Sequence, residues 1–370
     1  MIPRTATPRP TETPAYGHRP AAERVSDGGW QRRMAEALTD SRELVELLDL
    51  DPALVAGAES AQREFPLRVP RGFVARMRKG DPRDPLLRQV LPRADELRDE
   101  PGFVTDPLGE GSVNPVAGLL HKYRGRVLLM VSGACAVHCR YCFRRAVSHP
   151  RPGIGDLSAA LGYVASDPSI REVILSGGDP LAAADDLLHP LVGEIARIPH
   201  VERLRIHSRM PIVLPERVDD RLLDWLGPTR LRTVLVVHAN HAREIDDAVA
   251  GALERLQAAG TVLLNQAVLL RGVNDGVDAL RDLSEALFAA GVLPYYLHLL
   301  DRVRGAAHFA VAEPTARRLV RELMAELSGY LVPRLVREVP GAPAKVPLCL
   351  CGRATPDSAA DSREKTDHSY

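Results

Sequence analysis

The chain has 370 residues, with 48 basic and 48 acidic side chains and a formal net charge of zero. Binding to nucleic acid or an anionic membrane in general needs a basic excess, so the balance gives no support to either class. Hydrophobic residues at 45% and charged residues at 26% are ordinary for a globular protein, and no apolar run of about 18 residues reads as a transmembrane helix. Only four basic residues are lysine (Lys79, Lys122, Lys345 and Lys365), against 44 arginines. A lysine in an ordered segment therefore needs a reason why arginine would not serve.

In chain order, residues 1–25 are rich in proline and threonine, lack an apolar signal-peptide core and read as a disordered leader. Met34, Leu38, Leu44, Val45 and Leu48 predict an amphipathic helix over Trp30–Leu48. Residues 50–120 mix short helical patterns with Pro-Arg and Asp-Pro punctuation. From there, aliphatic runs at Arg126–Ser132, Glu172–Ser176, Arg203–His207, Arg232–His238, Thr261–Leu270 and Leu293–Leu299 alternate with helical stretches. The stretches are Leu181–Arg197, Glu216–Leu226, Arg243–Ala259 and Val277–Ala290, and a last helix is predicted over Glu313–Glu338. Alternation at this spacing predicts parallel strands covered by helices, an α/β fold closing as a partial (β/α)6 barrel. The polar residues of interest follow the C-terminal ends of the strands, where barrels build active sites. The cysteines, an odd five in two groups, do not form a disulfide framework and fit a reducing cytoplasm.

Directly after the first strand of the barrel comes Cys135-Ala-Val-His-Cys139-Arg-Tyr-Cys142. Three thiolates on one loop fit a four-iron cluster with one iron left open for an external ligand. The alternative is a structural zinc in a non-catalytic protein, its shell closed by His138 or His149. The C-x3-C-x2-C spacing resembles the radical S-adenosylmethionine (SAM) superfamily, in which the open iron holds SAM and the reduced cluster releases a 5′-deoxyadenosyl radical. Ser176-Gly177-Gly178-Asp179-Pro180, after the next strand, resembles that family's SAM amino-group site, although alone it reads equally as a strand-to-helix turn. His207, Arg209, His238 and Asn240 end the following strands and face the same mouth, or else serve as caps and loop hydrogen bonds.

Lys345 lies in the stiff segment Pro340-Gly-Ala-Pro-Ala-Lys345-Val-Pro347. Unlike arginine, lysine can lose its proton and form a Schiff base, for which pyridoxal phosphate (PLP) is the natural aldehyde. Here the resemblance narrows to the radical SAM lysine 2,3-aminomutase family. It is carried by Leu119-Leu-His-Lys-Tyr123, Cys139-Arg-Tyr-Cys-Phe-Arg-Arg145, Leu264-Asn-Gln-Ala-Val-Leu-Leu270, Leu293-Pro-Tyr-Tyr-Leu-His298 and Gly305-Ala-Ala-His-Phe309. The chain is most similar to the short branch, concerned with (R)-β-lysylation of elongation factor P, because it ends soon after Lys345.

This resemblance implies a [4Fe-4S] cluster on Cys135, Cys139 and Cys142, with SAM and PLP as cofactors. It implies PLP on Lys345, with Lys122, Arg126 and Gln266 as further PLP contacts, and L-lysine as substrate. Arg144 would hold the substrate carboxylate, and Asp301 and Glu338 its distal ammonium, Glu338 being Glu where the long aminomutases have Asp. Lys79 and Lys365 match no role. The implied organisation is an N-terminal helical region over 26–120, the radical SAM barrel over 121–312, a helix and PLP-lysine segment over 313–352 and a disordered tail over 353–370. The implied reaction moves the amino group of lysine from the α- to the β-carbon. The implied partners are an electron donor such as flavodoxin or ferredoxin and a β-lysine ligase acting on elongation factor P. β-Lysine for free-metabolite use and a radical SAM enzyme without PLP stay open. Cys349 and Cys351 form an isolated C-x-C that reads as ordinary terminal residues.

Overall fold

The computed structural model describes residues 29–146 and 154–350. The leader at 1–25, the tail at 353–370, His149, Cys351 and Lys365 lie outside the described residues.

A nine-stranded sheet forms the body, its strands neighbouring one another in sequence order. They are β1 (Leu119–Tyr123), β2 (Arg126–Ser132), β3 (Glu172–Gly177), β4 (Arg203–Ser208), β5 (Arg232–Val237), β6 (Val262–Leu269), β7 (Leu293–Leu299), β8 (Arg334–Arg337) and β9 (Val346–Pro347). Strands β2 to β8 pair in parallel. An antiparallel strand flanks them at each end, β1 on β2 and β9 on β8. The six expected strands are all present.

The seventh parallel strand, β8, falls where the sequence predicts helix. The helix from Glu313 stops at Glu326. Ser328–Gly329 open a short turn, and Pro333, which would cost a helix both a hydrogen bond and a clash, stands directly before the strand. The predicted Trp30–Leu48 helix is likewise two short helices, Gly29–Ala35 and Ser41–Leu47. Between them Leu38 bridges to Val69, and the Asp40 side chain accepts from the Arg42 amide to start the second helix.

The alternation that defines a barrel wall is clearest on β4 and β6. Leu204, Ile206 and Ser208, and Leu263, Asn265, Ala267 and Leu269, are buried on the helix side. The intervening Arg205 and His207, and Gln266 and Val268, line a cavity inside the barrel. One hydrophobic core joins the N-terminal helices, through Trp30, Leu44 and Phe73, to the strands and covering helices. Among the described residues no helix is long and apolar enough to cross a membrane.

Candidate functional site

Every residue given an expected cofactor, metal or substrate role lines one cavity of about 490 Å³ at the C-terminal ends of the parallel strands. The three cysteines and Lys345 are all among its lining residues.

The cysteine loop is held by packing that tolerates no side chain beside it. Gly177 has φ +131°, and a Cβ there would stand 2.2 Å from the Ser132 carbonyl oxygen. At Gly178 a Cβ would meet the Ala134 carbonyl at 2.6 Å and Cys135 Sγ at 2.9 Å. These glycines bring two loops into contact, a demand other residues cannot meet. Gly178→Ala should therefore displace Cys135 and weaken metal retention by about ten- to a hundredfold, read as iron per protein after anaerobic reconstitution and desalting. Full iron loading would overturn this reading of the loop.

Burial, with the Cys139 thiolate adding to it, pushes the Cys142 thiol up to about 11, and burial raises Cys135 as well. Crowded thiols of this kind ionise together only when a cation compensates them, which suits a metal cluster. Among the described residues, no three His, Cys, Asp or Glu side chains are gathered closely enough to hold a single metal ion. His138 donates Nδ1–H to the Pro66 carbonyl at 2.9 Å and stacks on Phe65.

Several predicted contacts are committed to the protein itself. Asp179 accepts from the Ser208 hydroxyl (2.7 Å) and from the amides of Leu181, Arg209 and Met210, so its carboxylate locks the turn after β3. Asn240 donates Nδ2–H to Gln89 and Tyr141 and accepts from the Val268 amide. Arg209 donates to Cys139 Sγ at 2.7 Å and to Gln89 and Glu244. These bonds fix three side chains that also line the cavity.

Lys345, the acids Asp301 and Glu338 and the histidines His207, His238 and His298 also line the cavity. Lys345 Nζ donates to Glu338 Oε2 at 2.6 Å, and the Tyr123 hydroxyl donates to Glu338 Oε1 at 2.6 Å. Burial opposes the charge on Glu338, but Lys345 and Tyr123 more than offset it and hold the carboxyl below its usual range. Asp301 goes the other way: burial, reinforced by the nearby Glu338 charge, pushes it up to about 7.

Gln266 and His238 share a hydrogen bond at 2.7 Å, and Arg126 stacks over Tyr123. Burial holds His238 down at about 3, and His207 and His298 are also lowered, so all three are neutral near pH 7. His207 and His298 each keep a buried Nε2 with no partner. Orphaned donors or acceptors on a cavity wall fit a polar cofactor that would satisfy them.

Arg144 pairs with Glu110 through Nε–Oε2 (2.9 Å) and Nη2–Oε1 (2.8 Å). Its Nη1 donates to Ser176 Oγ and the Gly177 carbonyl. Lys122 donates to the Leu108 carbonyl at 3.2 Å, 4.0 Å from Glu110. Glu110, His298, Tyr123 and Tyr296 are cavity residues not singled out in the sequence. Tyr123 and His298 sit within the recognised stretches. Glu110 lies in an aperiodic loop and carries no local signal.

Comparison with known proteins gives the family. Residues 124–202 match a family described as a 4Fe-4S single cluster domain. The chain is 51% identical over 325 residues to the L-lysine 2,3-aminomutase of Escherichia coli, covering 87% of this chain and 94% of that protein. The family is thereby decided. The chain belongs to the lysine 2,3-aminomutase family. Identity to the L-lysine 2,3-aminomutase of Haemophilus influenzae is 46%, over 85% of this chain and 94% of that one. With that of Clostridium subterminale it is 34%, over 88% and 79%.

Proposed function

We propose that this aminomutase converts L-lysine to β-lysine in the cytoplasm, with a [4Fe-4S] cluster on Cys135, Cys139 and Cys142, SAM at the cluster and PLP on Lys345. The observation that carries the reading is the convergence of three thiols, a lysine paired to a carboxylate and a second acid, Asp301, on one cavity. When bound, the cluster and SAM supply a hydrogen-abstracting radical, and PLP supplies an electron sink for migration of the amino group.

The protein's own residues handle charge and position. Arg126 and Lys122 would face the cofactor phosphate. Arg144 would take the substrate carboxylate. Glu338, which pairs with Lys345 Nζ in this structure, would offer its carboxylate to the substrate's distal ammonium. Asp301 has no such partner in place and supplies the other half of that site. Three neutral histidines keep the interior free of competing positive charge.

The test is anaerobic reconstitution with iron, sulfide and PLP, incubation with lysine, SAM and dithionite, and chiral analysis of the product; absence of β-lysine from a fully loaded protein would overturn the proposal. A narrower measurement addresses Asp301. Its carboxyl is protonated and neutral below about 7 and ionised above, and only the ionised form pairs with an ammonium. The KM for lysine should therefore fall as pH rises through 7. Asp301→Asn should flatten that profile and raise KM by about thirtyfold, the equivalent of about 2 kcal/mol for an ion pair losing one partner.

We further propose, on the short-branch resemblance of the sequence, that the β-lysine serves modification of elongation factor P. The partners would be an electron donor such as flavodoxin or ferredoxin and a β-lysine ligase. Mass spectrometry of elongation factor P from cells with and without this chain tests that step, and an unchanged mass would sink it.

A further inference from the structure

We propose that Glu110 is a resident counter-ion of the substrate-carboxylate site, an internal carboxylate that must give up Arg144 before an amino acid can be captured. The inference rests on the assignment of Arg144 to the substrate carboxylate and adds to it a specificity-determining residue.

A guanidinium has five N–H donors. In this protein the Nε donor and one Nη2 donor of Arg144 go to Glu110, at 2.9 and 2.8 Å. Nη1 serves Ser176 Oγ at 3.2 Å and the Gly177 carbonyl at 3.0 Å. A single N–H on Nη2 is left over. Bidentate capture of a carboxylate needs two adjacent parallel donors. The edge built for that, Nε with Nη2, is the edge Glu110 occupies. The opposite edge is spent on the Ser176–Gly177 turn, which also packs against the cysteine loop and so has little freedom to yield.

Charge leads to the same conclusion. The pair is nearly closed to solvent, each side chain 11% exposed, and Lys122 stands 4.0 Å away. Two cations and one carboxylate leave one positive charge over, which favours an incoming anion. A cofactor phosphate drawn to Lys122 and a substrate carboxylate drawn to Arg144 each remove part of what holds Glu110, and each repels it.

The segment carrying Glu110 allows such a displacement without disturbing the sheet. Gly109 takes the left-handed conformation at φ +61°, and the Asp106 side chain accepts from the amides of Leu108 and Glu110. Val113 beyond it accepts from the His121 amide on β1. The backbone of the turn is thus tied on both sides, and Glu110 reaches Arg144 through its side chain, so rotation about that side chain is enough to exchange one carboxylate for another.

The consequence is selective. The internal pair lowers the affinity for any ligand that needs Arg144, and leaves ligands without a carboxylate unaffected. Holoenzyme reconstituted with cluster and PLP would be compared as wild type, Glu110→Gln and Arg144→Gln. Binding of lysine and of cadaverine, which is lysine without its carboxylate, would be measured by titration, with the KM and kcat for lysine alongside and thermal melting to verify folding.

Glu110→Gln should bind lysine about tenfold more tightly, with KM falling more than kcat changes, because the competing charged hydrogen bonds are gone. Cadaverine affinity should stay level, whereas a merely structural role would move both ligands together. Unchanged or weaker lysine binding by folded Glu110→Gln overturns the proposal. Lysine binding undiminished in Arg144→Gln overturns instead the carboxylate assignment on which it rests, so the two failures are distinguishable.

Discussion

Lys345→Arg leaves a folded protein that converts lysine on the order of a thousandfold or more slowly, as loss of a covalent catalytic group does. The substitution keeps a cation beside Glu338, whose carboxylate now accepts from Lys345 Nζ at 2.6 Å and from the Tyr123 hydroxyl at 2.6 Å. What it removes is an amine that can exist uncharged and bond to the cofactor's carbonyl carbon, because a guanidinium stays protonated. Lys345→Ala should lose turnover to the same extent and also leave Glu338 without its ion-pair partner, so it should be the less stable of the two. Retention of PLP through gel filtration, beside the rate of β-lysine formation, separates the two effects. Full activity in Lys345→Arg would sink the assignment of the cofactor to this residue.

The largest expected loss of stability lies on the other side of the cavity. Glu96 accepts from Arg140 Nε (2.9 Å) and Nη2 (2.6 Å), from Arg145 Nη2 (2.5 Å) and from the Arg93 amide (3.0 Å). The Arg140 and Glu96 side chains are 0% and 1% exposed. Arg140 sits between the second and third cysteines and Arg145 just after the third, so one carboxylate from the N-terminal region fastens the whole cysteine loop. Glu96→Ala strands a buried guanidinium, at a cost of about 3–5 kcal/mol. Denaturant melts should show the loss in the folded apoprotein, and iron retention should fall with it. An unchanged unfolding midpoint would refute the stapling role.

These two predictions differ in how far the sequence alone could supply them. Lys345 was legible because four lysines among 48 basic residues single it out, and the cysteines because three ligands fall within eight residues on one loop. The parallel strands were legible through their aliphatic runs.

Glu96 and Glu110 were not, for a common reason: each meets its arginine at a sequence separation of 34 to 49, and no local period marks a charge whose partner arrives by folding. Strand β8 was masked because Leu331, Val332, Leu335 and Val336 suit a helix stripe about as well as a short strand, and the decisive Pro333 is a single residue. For Arg209 and Asn240 the sequence indicated a place at the barrel mouth, and both line the cavity. The sequence could not reveal that Gln89, Glu244 and Tyr141, from three other segments, take up their donors. Polar side chains at strand ends look alike in sequence whether they meet a ligand or one another.

The pairing of β9 with β8 has a kinetic consequence. Glu338 follows the last residue of β8 and Lys345 precedes the first residue of β9, so the two ends of one hairpin loop are joined by their own ion pair. The stem beneath them is short: Val336 faces Pro347, Arg337 faces Val346, and the Leu348 amide donates to the Leu335 carbonyl. Proline at position 347 contributes no amide to that ladder. Such a stem opens by local fraying, at a free energy well below that of global unfolding. A cofactor tethered at Lys345, as proposed, would sit on a small foldon at the rim of the barrel. Amide exchange at Leu348 should run faster than exchange in β3 or β5, and should slow once the tether is occupied.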